Sequence, residues 1–207
     1  HNPVLAVKKV LKNEKVGERT LSENEVLRFW TALDHCKMNI SRVNAFKLLL
    51  TTGQRVEEVA GMEWSEIDLK HNTWTLPSNR TKNKRNHVVP LNKFALEILN
   101  KTPKYHKRYI FPAIDLSRPL PSDGFSQALS RLLTNTDIPK FVPRDLRRTF
   151  KTLTGKAGIS KEIRDRIQNH ALHDVSSLHY DKYDYLKEKK QAMEVWNLYL
   201  IDMLEKK

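Results

Sequence analysis

Apolar residues recur at helical spacing along most of the chain. Ser22 and Glu25 match a capping box, with Leu21 and Val26 placed for a hydrophobic staple, so a helix is predicted from there to about Cys36. The same reasoning predicts further helices over roughly 42–52, 56–61, 92–100, 125–134, 144–155 and 161–169. A last long helix is predicted after Tyr183, with an apolar stripe made of Leu186, Met193, Trp196, Leu200 and Leu204.

The segment from Ile67 to Leu91 has a pattern typical of strands. Residues 73–76 and 87–89 are rich in β-branched and aromatic residues, and the polar residues 78–86 separate them. A small antiparallel sheet with a long basic hairpin is therefore expected. The predicted fold class is α+β and mainly helical, with a helical core and this one small sheet. Residues 1–20 are basic without periodicity and are predicted to be a linker or arm ahead of one domain over 21–207.

The charge of the chain limits the kinds of partner. Its 207 residues carry a formal net charge of +13, which favours a polyanion such as DNA, RNA or an anionic membrane surface. No apolar run approaches the roughly 20 residues that span a bilayer, so a membrane partner is not expected. The single cysteine, Cys36, excludes an internal disulfide and fits a reducing cytosol. A basic cytosolic nucleic-acid protein is the resulting prediction.

Several cations and one phenol are candidates for chemistry on a phosphodiester, whose transition state gathers negative charge on its oxygens. The candidates are Arg55, Lys82, Arg144, Arg147, His170 and Tyr180. Gly53 allows a sharp turn before Arg55, and Glu58 falls on the same helix face as Arg55 and could brace it. The alternative for this segment is an ordinary surface Arg–Glu pair.

Two further segments are basic. The predicted hairpin carries Arg80, Lys82, Lys84 and Arg85. Lys82 could act there as a mobile acid and the other three as DNA contacts, although lysines that protect a solvated edge strand are common. After Pro143, Arg144 and Arg147 are three residues apart and share one face of the first helical turn, whereas Arg148 points elsewhere as a contact to backbone phosphate or solvent.

The last segment joins a histidine to a tyrosine. Tyr180 follows His170 by ten residues, and Tyr183 and Tyr185 compete with it as nucleophiles or serve only in packing. His173 lies three residues after His170, but no further Cys or His cluster completes a tetrahedral set. No metal and no cofactor are therefore predicted.

Taken in order, these motifs resemble the catalytic domain of a tyrosine recombinase. The matching pieces are TGQRVEE at 52–58, TK at 81–82 before VPL at 89–91, RDLRRT at 144–149, and NH at 169–170 with the following tyrosine. The chain is most similar to integrases of temperate phages and genomic islands, also in its run YDKYDYLKEKK at 180–190. The resemblance implies that 21–207 is the catalytic domain, and that further DNA-binding domains precede His1.

The resemblance implies site-specific DNA recombination, with integration or excision of a mobile element through a covalent 3′-phosphotyrosine and without metal. Arg55 and Arg147 would clamp the scissile phosphate, and Lys82 would protonate the leaving 5′-oxygen. His170 would donate to a non-bridging oxygen and Tyr180 would be the nucleophile. Glu58 falls on the family's supporting acidic position.

One position departs from the family pattern. Arg144 stands where the family most often has histidine, and a guanidinium cannot take the proton of Tyr180 because it stays protonated at any workable pH. That proton would leave by water or another group, or the enzyme would be slow. The alternatives are a catalytically degenerate DNA-binding domain of the same fold and a type IB topoisomerase.

The expected partners follow from the same resemblance. They are double-stranded DNA, three further copies of the chain in a homotetramer on DNA, and host DNA-bending and excision factors. The expected location is the cytoplasm of a bacterial cell, in association with the nucleoid.

Overall fold

The computed structural model describes residues 19–170 and 183–205, and in these ranges it is mainly helical. The helices are α1 Glu23–His35, α2 Ile40–Thr52, α3 Val56–Ala60, α4 Lys93–Lys101, α5 Asp123–Thr134, α6 Pro143–Lys156, α7 Lys161–Ile167 and α8 Leu186–Glu205. The strands are β1 Ile67–Asp68, β2 Thr73–Leu76 and β3 His87–Pro90. The predicted mainly helical α+β fold is confirmed.

The first helix begins as its sequence predicts. The Ser22 backbone N–H donates to the Glu25 carboxylate at 2.8 Å, and the Glu25 N–H donates to the Ser22 hydroxyl at 3.2 Å. Leu21 and Val26, the predicted staple, are both buried. The Leu21 N–H also donates to the Thr149 hydroxyl at 2.9 Å, which attaches the residues just before α1 to α6.

Helix α2 lies at the centre of the fold. Most of its residues are buried, and it packs against both α4 and α6. Edge-to-face aromatic contacts extend the core from Phe46 of α2 to Phe29 of α1 and Phe125 of α5. The C-terminal end of α2 is thereby held in the interior, close to the start of α6.

The sheet is antiparallel in the order β1-β2-β3, with Trp74 opposite both Ile67 and Val89. The sequence predicted β2 and β3 but missed β1, because two residues are too short to show an alternating pattern. The connection between β2 and β3 contains a 3-10 turn at Ser78–Arg80.

The last helix packs on its own chain. Met193, Trp196 and Leu200 of the predicted stripe are buried, and α8 contacts α1, α4, α7 and β3. The Trp196 ring meets the ring of Phe150 at 5.4 Å, edge to face. Among the residues that the structure describes, no helix is both long and apolar enough to cross a membrane.

Candidate active site

The site is built around the turn that follows α2. Gly53 caps the helix with φ +66°, a left-handed conformation, and a Cβ at this position would lie 2.3 Å from the ring of Phe150. Only glycine combines that backbone conformation with so close an approach. The Gly53 carbonyl faces the end of α7, where it accepts from Gln168 Nε2 at 3.2 Å.

Arg55 comes two residues after this turn and is braced by Glu58. The Glu58 carboxylate accepts from the Arg55 backbone N–H at 2.9 Å and from its Nη1 at 2.8 Å. Glu58 is 3% exposed, so its orientation is fixed by packing as well as by hydrogen bonds. The pairing expected from their spacing is present, and its role in catalysis stays a prediction.

Arg147 of α6 is 9% exposed and is held by backbone carbonyl groups. Its Nη1 donates to Gly53 O at 2.9 Å and its Nη2 donates to Gln168 O. Burial, followed by repulsion from Arg55, lowers the pKa of Arg147 to about 10, so the side chain remains charged at neutral pH. No carboxylate within residues 19–170 or 183–205 forms an ion pair with it.

Two buried glutamines and a histidine hold the end of α7 against this loop. Gln54 Nε2 donates to Ile167 O at 2.8 Å, and Gln168 Nε2 donates to Arg147 O at 2.9 Å. His87 Nε2 lies 2.9 Å from the same Ile167 oxygen. Burial lowers the pKa of His87 to about 3, so it is a neutral donor. Sequence reasoning did not identify these supporting residues.

Two residues separate His170 from the end of α7, and the second of them, Asn169, has a left-handed conformation with φ 50°. Its backbone N–H donates to Asp165 O at 2.9 Å. Its ring Nδ1 lies 2.9 Å from the Asp165 carboxylate and 3.1 Å from Lys151 Nζ. Burial lowers the pKa of His170, and the hydrogen bond with Asp165 opposes that effect.

The hairpin is attached to the histidine turn. Asn83 Nδ2 donates to Asn169 Oδ1 at 2.6 Å, and Asn169 Nδ2 donates back to Asn83 Oδ1 at 3.2 Å. Because Asn83 follows Lys82 and Asn169 precedes His170, this pair brings the two chain segments together. Lys82 itself is exposed, as are Lys84 and Arg85.

Arg80 and Arg148, both predicted to contact DNA, are engaged by their own chain. Arg80 pairs with the Glu66 carboxylate and donates to Glu58 O at 2.9 Å, so it braces the residues around Glu58. Arg148 donates to the Asp145 carboxylate one helical turn earlier. Contacts between these two arginines and DNA stay a prediction.

Arg144 is exposed at the start of α6. Together with Val56 and Glu57 it lines a shallow concavity, so the first turns of α3 and α6 are neighbours. Arg144 and Arg147 therefore have different surroundings: Arg147 is buried at the turn after α2, and Arg144 faces solvent.

Tyr180, the predicted nucleophile, and His173 lie outside the described residues. Of the competing tyrosines, Tyr183 is exposed and donates to Glu188 at 3.1 Å. The Tyr185 ring lies under the guanidinium of Arg166, 3.4 Å from its Cζ. Within the described ranges, no group of three or more His, Cys, Asp or Glu residues could hold a metal ion.

The fold is that of the tyrosine recombinases. The integrase from mycobacterium phage Brujita superposes with a TM-score of 0.69 at 18% identity, over 98% of this chain and 68% of that one. The Tn1549 transposon integrase, solved with circular intermediate DNA, superposes with a TM-score of 0.63 at 17% identity, over 89% of this chain and 67% of that one. At identities this low, the superpositions establish a common fold and nothing more.

The chain belongs to the phage integrase family, whose model matches residues 19–183. It is 27% identical to prophage integrase IntZ of Escherichia coli K12 over 198 residues, which are 93% of this chain and 48% of IntZ. It is 26% identical to prophage integrase IntA of the same organism, over 89% of this chain and 45% of IntA. The chain thus spans about half the length of these relatives. The predicted family is confirmed.

Proposed function

We propose that this chain is the catalytic domain of a site-specific DNA recombinase that integrates or excises a mobile element. The observation that carries the proposal is the buried charge of Arg147, whose side chain donates, within residues 19–170 and 183–205, to the carbonyl oxygens of Gly53 and Gln168. A buried cation without a carboxylate partner is costly unless an anion completes its environment. Arg55 lies two residues from Gly53, so a second guanidinium is available to the same anion.

Two guanidinium groups held in place suit a phosphodiester, which offers several oxygen atoms to separate donors. Arg55 and Arg147 are held by Glu58 and by main-chain carbonyls, so each loses little side-chain freedom when it binds an anion. Preorganised donors of this kind stabilise charge as it develops on the phosphate oxygens. His170 and the Lys82 hairpin reach the site from two other segments, joined by the Asn83–Asn169 pair.

The proposed reaction is a phosphoryl transfer in two reversible steps. The oxygen of Tyr180 attacks the phosphorus, the bond to the 5′-oxygen breaks, and Lys82 gives that oxygen a proton. The protein is then joined to DNA as a 3′-phosphotyrosine, and the tyrosine proton has gone to water or to another group, because Arg144 cannot accept it. A 5′-hydroxyl from a second duplex reverses these steps and seals a recombined strand. The phosphoester energy is conserved throughout, so the reaction needs no cofactor.

Double-stranded DNA is the proposed partner. The net charge of +13 and the exposed cations Lys82, Lys84 and Arg85 support it. So do neighbours solved with DNA, which include the XerH recombinase bound to its difH substrate. A homotetramer on DNA, host DNA-bending and excision factors, and a cytoplasmic, nucleoid-associated location complete the proposal.

The test is the capture of the covalent intermediate. A duplex of the cognate attachment site, nicked so that the cleaved fragment diffuses away, is incubated with the protein in EDTA, denatured in SDS and analysed by mass spectrometry. We expect a DNA-linked peptide that contains Tyr180, lost in Tyr180→Phe and retained in the matched control Tyr183→Phe. The longer protein with its preceding residues is tested in parallel.

Two results would change the assignment. DNA binding without any adduct would identify a degenerate DNA-binding domain, and Arg144→His would then be the variant to test for rescue. An adduct accompanied by relaxation of supercoils, but without strand transfer to a second duplex, would identify a type IB topoisomerase.

A further inference from the structure

Lys151 and Asp165 form an ion pair against the ring of His170. Lys151 lies in the middle of α6 and Asp165 in α7, and their charged groups are in contact. Both also reach the same ring nitrogen, His170 Nδ1, Asp165 at 2.9 Å and Lys151 at 3.1 Å. Neither residue belongs to the motifs that the sequence singled out.

The contacts leave one ring nitrogen available to a ligand. The His170 backbone N–H donates to Asp165 O, so the residue is attached to Asp165 through its main chain and its ring. With an Nδ1–H donated to the carboxylate, a neutral imidazole presents a lone pair at Nε2. A phosphate oxygen would repel that lone pair, so in this tautomer only the protonated ring can donate from Nε2. We take this tautomer, rather than the one in which Nδ1 accepts from Lys151 Nζ, because the anionic Asp165 is the nearer partner of Nδ1, at 2.9 Å against 3.1 Å.

The charges around His170 act in opposite directions. Burial has the largest effect and lowers the pKa of His170, and Arg147 and Lys151 lower it further, whereas Asp165 stabilises the imidazolium and opposes them. In the described part of the chain, the charged groups that act on the ring are two cations of α6 and one anion of α7. Lys151 also neutralises much of the field of Asp165, because the two groups form an ion pair.

We propose that Lys151 and Asp165 are positioning residues that hold His170 by Nδ1 and set, in opposite directions, the pH above which it stops donating to the scissile phosphate. This inference rests on the proposed function, and it concerns regulation of that same site by pH. The ion pair thereby helps to set the alkaline limit of strand cleavage, which is the pH above which cleavage fails.

The two substitutions have opposite expected effects on that limit. Asp165→Asn keeps an oxygen that can accept from Nδ1 but removes the negative charge, so cleavage should fail at a lower pH than in the wild type. Lys151→Met removes the repelling cation at similar side-chain volume, so cleavage should persist to a higher pH. A residue that only supported the fold would lower the rate at every pH without moving the limit.

The experiment measures single-turnover cleavage of the nicked duplex between pH 5.5 and 9.5, with DNA at saturating concentration. Lys156→Met is the matched control, because it removes the same charge from the same helix at a residue paired with Glu23. At a fixed pH well above the alkaline limit, a shift of that limit by one pH unit changes the cleavage rate about tenfold. We expect a slower reaction in Asp165→Asn, a faster one in Lys151→Met, and a profile in Lys156→Met that matches the wild type.

A second measurement needs no cleavage. An NMR titration of the His170 ring in DNA-free protein, assigned with His170→Gln, should show a lower pKa in Asp165→Asn and a higher one in Lys151→Met. Titrations that do not move, or that move in the same direction, would overturn the inference. So would cleavage profiles that stay fixed while the titrations move. Wild-type protein that forms no adduct at any pH would refute the proposed function instead, and the titrations would still decide whether the pair controls His170.

Discussion

Replacing Gly53 with alanine places a methyl group where the ring of Phe150 already lies. The backbone at Gly53 has φ +66°, which costs an L-residue about 1–2 kcal/mol. The new Cβ would be 2.3–2.8 Å from three atoms of the Phe150 ring, and overpacking of this kind costs a further 1–3 kcal/mol or so. We therefore expect Gly53→Ala to lower the free energy of unfolding by about 2–5 kcal/mol.

Gly158→Ala is the matched control, because it isolates the backbone contribution. Gly158 has φ +87°, and a Cβ there meets no atom within 4 Å. Its expected cost is the conformational part alone, about 1–2 kcal/mol. Urea unfolding followed by tryptophan fluorescence measures both variants, and Trp196, which contacts Phe150 at 5.4 Å, reports directly on the affected part of the core.

Equal destabilisation in the two variants would refute the steric argument. The contact also has a functional consequence, because the Gly53 carbonyl is an acceptor for Arg147. Adduct formation by Gly53→Ala, measured where the protein is still folded, should fall more than DNA binding does. Gly158→Ala should retain both.

Three other predictions concern single groups. Arg147→Lys should reduce adduct formation by 100-fold or so while DNA binding changes little, since a lysine cannot reproduce two fixed N–H donors at a site of charge development; unchanged cleavage would contradict the clamp. Lys82→Ala should slow cleavage of a normal duplex but not of one with sulfur at the bridging 5′ position, because a thiolate leaves without an acid. Lys84→Ala, the control, should cleave each of the two duplexes at the wild-type rate. His87 has a folded pKa of about 3 against an ordinary 6.5, so its contribution to stability is complete above pH 6.5 and is lost as pH falls toward 3. Urea unfolding should show this as a contribution of up to about 1.4 kcal/mol per pH unit to the slope, which His87→Gln removes. Equal slopes in the two proteins would show that the pKa of His87 is the same in the folded and unfolded states.

The parts of the fold that sequence reasoning predicted are those with local signals. The capping box of Ser22 and Glu25 involves four consecutive residues, and the end of α2 is indicated by a single residue, Gly53. The two main strands follow from their β-branched and aromatic composition. In the site, the Arg55–Glu58 pair follows from i,i+3 spacing within one short helix.

The parts that it missed depend on how separate helices pack. Lys151 and Asp165 lie 14 residues apart on two helices, and nothing in either segment indicates that both meet His170. Arg80 illustrates the same difficulty. In the sequence it looks like the other cations of the basic hairpin, and only the structure shows that it pairs with Glu66, 14 residues earlier. Tertiary geometry decides such contacts, and a single sequence carries no direct record of it.

The anchoring of α8 limits how far Tyr180, the proposed nucleophile, can lie from the described part of the chain. Arg166 covers the ring of Tyr185, and Lys189 Nζ donates to Val88 O at 2.9 Å, so the start of α8 is attached to α7 and β3. Tyr180 is five residues from Tyr185, and a fully extended chain of that length spans at most about 18 Å. From His170 the corresponding limit is about 36 Å. If Tyr180 is the nucleophile, the position of the docked helix therefore limits which phosphates it can attack more tightly than the position of His170 does.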